Sequence, residues 1–221
     1  MTLDQMILDL QKRIGSSPEI EASNLVTWIN QGYLAFCTTY DYTWLEQIAY
    51  GSTVENQASY TLPTDCKRLI ELKIDDERYN YVPFEQRDIQ TPGSKYYSVL
   101  NNKMIISPVP TVTGSADIEM VYYRRAEKMV AGSDTPDLIP EPYHEALVIY
   151  AFSIYNTYDE EHDEARQLMG SELKPNPGTF NWYVNLAKRE EQRKKRGARR
   201  RFLSKAEASG YNTSTTTILG N

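Results

Sequence analysis

At 221 residues, the chain is long enough for one hydrophobic core, or for one domain that carries an inserted subdomain. Its hydrophobic (40%) and charged (24%) fractions are ordinary, and its longest uncharged apolar run, residues 146–158, is too short to span a membrane. Charge is uneven: residues 187–221 carry a net charge of +7 and the first 186 residues a net charge of −13. An acidic body with a basic end is typical of a protein that has an interaction arm.

Two helices joined by a short turn are predicted for residues 1–42. Apolar residues recur at helical spacing from residue 3 to residue 14. Thr2 and Gln5 form a capping-box pattern at the start of this helix, and Gly15 is placed to end it. Pro18 suits the first turn of a second helix, which we expect to run to about Cys37.

A strand-rich stretch follows, predicted as an inserted β subdomain over residues 43–125. Runs of β-branched and aromatic residues, bounded by Pro, Gly, Asn and Asp, predict antiparallel strands. We expect them near residues 44–50, 67–74, 78–83, 96–100, 104–107 and 117–123. Residues 84–89 are predicted as one helical turn, and Asn101 and Asn102 as the turn of a hairpin.

Helical sequence returns in residues 126–196. Pro142 suits the start of a helix that runs to Tyr158, a second helix is expected from Asp159 to about Leu173, and a third from about Thr179. Residues 197–221 are predicted as an extended docking tail. The predicted fold is therefore α+β: a helical bundle with an inserted small antiparallel β subdomain and a disordered basic C-terminal arm.

The sequence offers little for catalysis. His162 lies among acidic residues 160–164, but these carboxylates point to several sides of a helix, so we interpret them as a solvated first turn. No nucleophile motif or phosphate-binding glycine loop is present, and Cys37 and Cys66 predict free thiols in a reducing cytoplasm. We predict no catalytic, cofactor-binding or metal-binding residues, and no enzyme.

The basic stretch Lys188–Arg201 is the strongest local signal, with nine positive charges in fourteen residues. It is open to three interpretations: a solvated helix face, a nucleic-acid-binding segment, or an arm that docks in an acidic groove of a protein partner. The acidic body disfavours plain duplex binding, so docking is favoured. The predicted docking residues are Arg193, Lys194, Lys195, Arg196, Arg199, Arg200, Arg201, Phe202 and Tyr211.

The order of several short motifs resembles the head-to-tail adaptor proteins of tailed bacteriophages. The resemblance covers about residues 3–170 and leaves the basic tail outside it. The matching pieces are the helix that contains Trp28, Tyr60-x-Leu-Pro-x-Asp65 with Arg68-Leu69, Tyr97-x-Val99, Ile105-Ile-Ser-Pro-Val-Pro110, Met120-Val-Tyr-Tyr-Arg124 and Ile139-Pro-x-Pro-Tyr-x-x-Ala146.

This resemblance implies a structural protein of the virion neck, made in the host cytoplasm, without cofactor or membrane contact. It implies a ring, commonly of twelve copies, between the portal protein and the tail or nozzle proteins, through which viral DNA passes without sequence-specific binding. The helices would form the ring wall, the sheet would point toward the tail, and Arg193–Asn221 would reach the portal. Two alternatives stay open: a nucleic-acid-binding protein that uses Lys188–Arg201, and an enzyme of unrecognised type.

Overall fold

A computed structural model of the chain describes residues 1–15, 20–91, 93–115 and 117–210, with side chains as far as Arg196. The described part contains five α-helices: α1 Leu3–Ile14, α2 Ala22–Thr38, α3 His144–Tyr158, α4 His162–Met169 and α5 Phe180–Gly210. It also contains seven strands: β1 Glu46–Gly51, β2 Ser59–Thr61, β3 Cys66–Ile74, β4 Glu77–Tyr81, β5 Tyr96–Leu100, β6 Lys103–Ser107 and β7 Ile118–Arg124. The α+β class is confirmed. Every helix in this part is too short or too polar to cross a bilayer.

Helix α1 begins and ends where its sequence predicts. The Thr2 hydroxyl accepts from the Gln5 amide at 3.3 Å, and the Gln5 side chain accepts from the Thr2 amide at 2.9 Å. Gly15 adopts a φ of +77°, which ordinary side chains rarely tolerate, and its amide donates to the Gln11 carbonyl at 3.0 Å. These caps fix the ends of α1, and its buried residues Leu3, Met6 and Leu10 belong to the helical core that α3 shares.

A buried amide holds the return segment, residues 125–140, against α2. Asn30 is 5% exposed, and its Nδ2 donates to the carbonyl oxygens of Val26 and Met129 at 3.1 and 2.9 Å. Its Oδ1 accepts from the Met129 amide at 2.8 Å. Both backbone groups of Met129 are therefore paired by one side chain, which replaces the partners that a helix or sheet would give them.

The seven strands form one sheet in the order β1-β7-β3-β4-β5-β6-β2. All neighbours are antiparallel except β4 and β5, whose pairing of Asn80 with Tyr96 is parallel. The prediction of a purely antiparallel sheet is thus wrong at this pair. The reason is the connection: the 14 residues between the two strands, with a 3-10 turn at Phe84–Ile89, carry the chain back across the sheet before β5 begins.

The sheet has an apolar core of its own, which includes the fully buried Leu72, Met104, Ile106 and Ile118. The six predicted strands are all present, within three residues at each end. Strand β2 was not predicted, because its three residues are too few to show an alternating pattern.

One polar network joins the sheet to the helices. Asp65 accepts from the Tyr122 hydroxyl at 3.0 Å and from Arg124 Nε at 3.1 Å. The Arg124 guanidinium also pairs with Asp137 at 3.5 Å, and Asp137 accepts from the hydroxyl of Tyr33 in α2 at 2.9 Å. The orientation of the sheet relative to α2 is therefore fixed by hydrogen bonds as well as by apolar contact.

Helix α5 is longer than predicted. The backbone of residues 197–210 continues the helix, where the sequence predicted the start of an extended tail. Lys, Arg, Ala and Glu dominate residues 188–207, and these are strong helix formers, a propensity that the prediction of an extended tail did not take into account. Tyr211 and the residues after it lie outside the described part.

We expect the protein to unfold in alkali. Burial raises the pKa of Tyr42, Tyr122 and the Cys37 thiol to about 12, from ordinary values of 10.0 for tyrosine and 9.0 for cysteine. Raised pKa values contribute stability that is complete below about pH 9 and is lost as the pH rises toward 12. The circular dichroism of the folded protein should be lost in this range, together with the last part of the rise in tyrosinate absorbance, which the buried tyrosines contribute. A tyrosinate absorbance that is complete near pH 10, while the circular dichroism is still that of the folded protein, would contradict this.

Candidate interaction surface on the C-terminal helix

The first turns of α5 anchor it in the helical core. Phe180, Val184 and Ala187 are at most 3% exposed. From Lys188 the helix becomes almost wholly charged, but Glu190 still contacts the body, because its carboxylate accepts from the Tyr143 hydroxyl at 2.6 Å. The apolar residues fix the direction of the helix axis, and this direction determines where the charged residues that follow lie.

Glu191 is a buried carboxylate at the point where α5 leaves the core. It is 0% exposed, and its Oε2 accepts from the Thr43 hydroxyl at 3.0 Å. Its Oε1 lies 3.5 Å from Lys195 Nζ, close enough for an ion pair but not aligned as a hydrogen bond. The indole nitrogen of Trp44, also buried, has no hydrogen-bond partner within the described residues. A polar junction therefore ties α5 to the segment that leads into β1.

Two of the predicted docking residues fold back onto this segment. The ammonium groups of Lys194 and Lys195 lie 5.7 and 5.3 Å from the ring centroids of Trp44 and Tyr40. Lys195 also donates to the Asp41 carbonyl at 3.3 Å. Cation–π contacts of exposed groups contribute roughly 0.5–1 kcal/mol each, so these lysines help to fix the helix.

Arg193 and Arg196 are placed differently. Both are exposed, and neither forms an ion pair with any side chain that the structure describes. Arg199, Arg200, Arg201 and Phe202 lie on the helical backbone beyond them, and Gly210 is about 22 Å past Lys195 at the rise of a helix. The predicted docking residues thus form two groups. Lys194 and Lys195, which we call the root of α5, contact the body, and the other described positions extend from it.

An open cleft of about 690 Å³ lies beside this root. Asp41 is paired there with Lys67, at 3.2 Å, and with Arg68, while Lys195 lines the same cleft. Three cations and one carboxylate line the cleft, and Lys195 is also paired with the buried Glu191, so one positive charge is left over among these five side chains. Sequence analysis missed Asp41, Lys67 and Arg68, since only the fold brings them next to α5.

Removal of the Glu191 carboxylate should loosen the root of α5. Glu191→Ala is expected to lower the free energy of unfolding by about 1–2 kcal/mol, because the Thr43 hydroxyl and Lys195 lose their partner. Glu191→Gln keeps an acceptor for Thr43 and should cost less. Urea unfolding measures both, with Gln192→Ala on the exposed neighbouring position as a control. An alanine variant as stable as that control would contradict the role of the junction.

The two histidines lie in different surroundings, one buried and one exposed. His144 is 6% exposed, with Nδ1 2.8 Å from the N-terminal nitrogen and Nε2 2.8 Å from the Ile139 carbonyl oxygen. Burial is the main cause that lowers its pKa below the ordinary value. His162 and its acidic neighbours are exposed, and among the described residues no three His, Cys, Asp or Glu side chains lie close enough to hold a metal ion.

The charged helix that extends from the body is a candidate surface for contacts with other macromolecules. A family model for the SU10 adaptor protein matches residues 1–200, and the chain belongs to this family of bacteriophage structural adaptor proteins. The resemblance inferred from the motifs is thereby confirmed. Among the curated proteins no match was found.

Membership of the family bears on the basic stretch as well. The motifs alone had ended the resemblance near residue 170, but the match reaches residue 200 and so includes most of the basic stretch Lys188–Arg201. Arg201, Phe202 and Tyr211 lie beyond it. The family implies a component of the virion neck that interacts with other head and tail proteins, and its structural role favours a protein without catalytic activity.

Proposed function

We propose that the protein forms a ring, commonly of twelve copies, between the portal vertex and the tail. The ring serves as a conduit for the viral DNA, which is retained after packaging and later ejected through it. The observation that carries this proposal is the family match, which spans the folded body and α5 as far as residue 200. Portal protein, tail or nozzle proteins and further copies of the chain are its partners.

The basic helix is suited to dock against the portal. Its root is fixed by Glu191 and Lys195, and the exposed Arg193 and Arg196 begin a run of basic residues that the sequence continues to Arg201. Many copies in a ring would each need only a weak contact, because the contacts act together once the ring is formed. Phe202 and Tyr211 are the apolar anchors of this hypothesis.

The charge of the body suits passage of DNA. Residues 1–186 carry a net charge of −13, so their field repels phosphate and keeps a sliding duplex from adhering. The viral DNA would then pass without sequence-specific contacts.

Mass measurement tests the ring. Native mass spectrometry or light scattering should be applied to the purified full chain, alone and mixed with portal rings. An assembly with the mass of a ring on the portal supports the proposal. A chain that stays monomeric in the presence of portal would overturn it.

Portal docking by the arginines is expected to be strongly sensitive to charge. Arg199, Arg200 and Arg201, changed together to glutamate, should lower the affinity for portal at least about tenfold, since each loses an attraction and adds a repulsion. Lys12, Lys103 and Lys128 are exposed on the body, and their change to glutamate makes a control of equal charge. Surface binding kinetics at two salt concentrations would compare the two. Equal losses in both variants would show that net charge, and not the arm, sets the affinity.

A second candidate is nucleic-acid binding by Lys188–Arg201, and the net positive cleft of Asp41, Lys67 and Arg68 beside the helix favours it. It predicts that the purified protein binds DNA with a steep dependence on salt. A chain that binds portal but shows no DNA binding at low salt would exclude it.

A further inference from the structure

Exposed apolar side chains concentrate at one end of the sheet. Five of the thirteen large hydrophobic side chains that are exposed in the described part lie in residues 48–54 and 109–112. We call them the distal patch: Ile48 (48% exposed), Tyr50 (65%), Val54 (44%), Val109 (43%) and Val112 (66%). Single exposed hydrophobics are ordinary, whereas several on neighbouring segments are a candidate interaction site.

The distal patch lies away from the helices. Strand β1 leaves the helical core at Leu45, and β7 returns to it at Tyr123. The loops at the other ends of these strands, residues 52–58 and 108–117, are therefore at the far end of the sheet. The docking helix α5 and the distal patch use different parts of the molecule.

The two loops hold each other in one arrangement. The Thr53 hydroxyl donates to Asp117, whose other carboxylate oxygen accepts from the Thr53 amide at 2.8 Å. The Gly114 amide donates to Thr53 Oγ1 at 3.0 Å, and the Glu55 amide to Thr113 Oγ1 at 3.1 Å. Val54 and Val112 are thus carried on neighbouring, hydrogen-bonded segments, so the surface is formed before a partner binds.

Strand β1 adds an open backbone edge to this surface. It pairs with β7 over six consecutive residues without a bulge, and residues 47–51 contain no charged residue and no proline. Bulges, lysines and prolines are the usual devices that protect an edge, and the opposite edge, β2, is protected by its length of three residues. An edge of this kind is kept for a partner strand.

The rim of the distal patch is acidic. Residues 48–58, 75–76 and 108–117 contain Glu55, Asp75, Asp76 and Asp117 and no Lys or Arg. The Asp75 amide donates to the Asp117 carbonyl at 3.0 Å, which brings the turn of residues 75–76 to the same end of the sheet. This charge repels DNA, and it also disfavours contact between the patches of two copies.

We propose that the distal patch is the docking surface for a tail protein whose contact surface is apolar, is rimmed by Lys or Arg, and adds a strand to the open edge of β1. The proposal rests on the proposed function, because it places a tail protein at the end of the sheet opposite to the portal arm. Apolar side chains supply affinity, and the charges of the two rims supply orientation.

Tail attachment tests the proposal. Tailless heads that carry portal and the full-length adaptor are mixed with purified tails of the same phage, and joined particles are counted by electron microscopy. Tyr50→Asp and Val112→Asp should each lower attachment at least about tenfold, since an apolar contact is lost and an unpaired carboxylate would be buried against the partner's apolar centre. Val130→Asp and Leu173→Asp, at 83% and 92% exposure, are matched controls that should attach tails normally.

Two milder substitutions test the patch in variants that are expected to stay folded. Val112→Ser should weaken attachment with an unchanged circular dichroism spectrum, and Glu55→Lys should weaken it more at low salt than at high salt. Portal binding is measured on the same preparations, so failure of the proposed ring is distinguished from failure of the patch. Distal variants that attach tails as well as the controls would overturn the proposal. So would a wild-type chain that binds portal but no tail, or distal variants whose defect is in ring formation.

Discussion

Replacement of Asn30 by alanine is expected to lower the free energy of unfolding by about 3 kcal/mol. The change removes three hydrogen bonds and leaves the amide and carbonyl of Met129 without partners in a buried site. A buried polar group without a partner costs about 1–3 kcal/mol, and here two such groups are left together.

Urea unfolding of the variant measures this loss. Gln31→Ala, at the exposed position next to Asn30 on the same helix, should change stability by less than about 0.5 kcal/mol. Hydrogen exchange should show faster exchange in residues 125–140 of the Asn30 variant. Equal stability of the two variants would mean that the return segment is held by its apolar contacts alone.

Replacement of Asp65 by alanine is expected to cost about 2 kcal/mol and to loosen the sheet from the helices. Tyr122 and Arg124 both lose their acceptor. Breaking a buried ion pair costs roughly 3–5 kcal/mol, but the side chains of Asp65 and Arg124 are 19% and 27% exposed, so solvent screening reduces the loss.

Asp65→Asn separates the charge from the hydrogen bonds, because its amide oxygen still accepts from one partner and the variant should retain part of the stability. Asp88→Ala serves as a control, since the Asp88 side chain is 83% exposed and pairs only with Arg87. Urea unfolding gives the stabilities, and small-angle scattering reports the orientation of the sheet. An Asp65 variant as stable as the control would show that apolar packing alone joins the sheet to the helices.

Local patterns predicted most of the secondary structure. The capping box of Thr2 and Gln5, the stop at Gly15 and the β-branched and aromatic runs of β3 and β5 to β7 depend on neighbouring residues, and they appear as expected. The parallel pairing of β4 with β5 was not predictable in this way. It depends on the path of the 14-residue connection, which decides the direction in which β5 begins.

The interaction surface was only partly predictable. The basic residues of α5 were identified from their charge, but the burial of Glu191 and the contacts of Lys194 and Lys195 with Trp44 and Tyr40 join residues about 150 positions apart. The distal patch gave no signal, because valines in loops become a surface only when the Thr53–Asp117 contact brings two loops together.

The unbroken course of α5 has a mechanical consequence. A helix of 31 residues is a rod of about 46 Å, and each residue added to it rotates the more C-terminal part of the helix by about 100°. Its length therefore sets both the reach of the arginines and the direction they face. Insertion of seven residues, close to two turns, would lengthen the rod and keep that direction, whereas insertion of two would turn the arginines toward the opposite side.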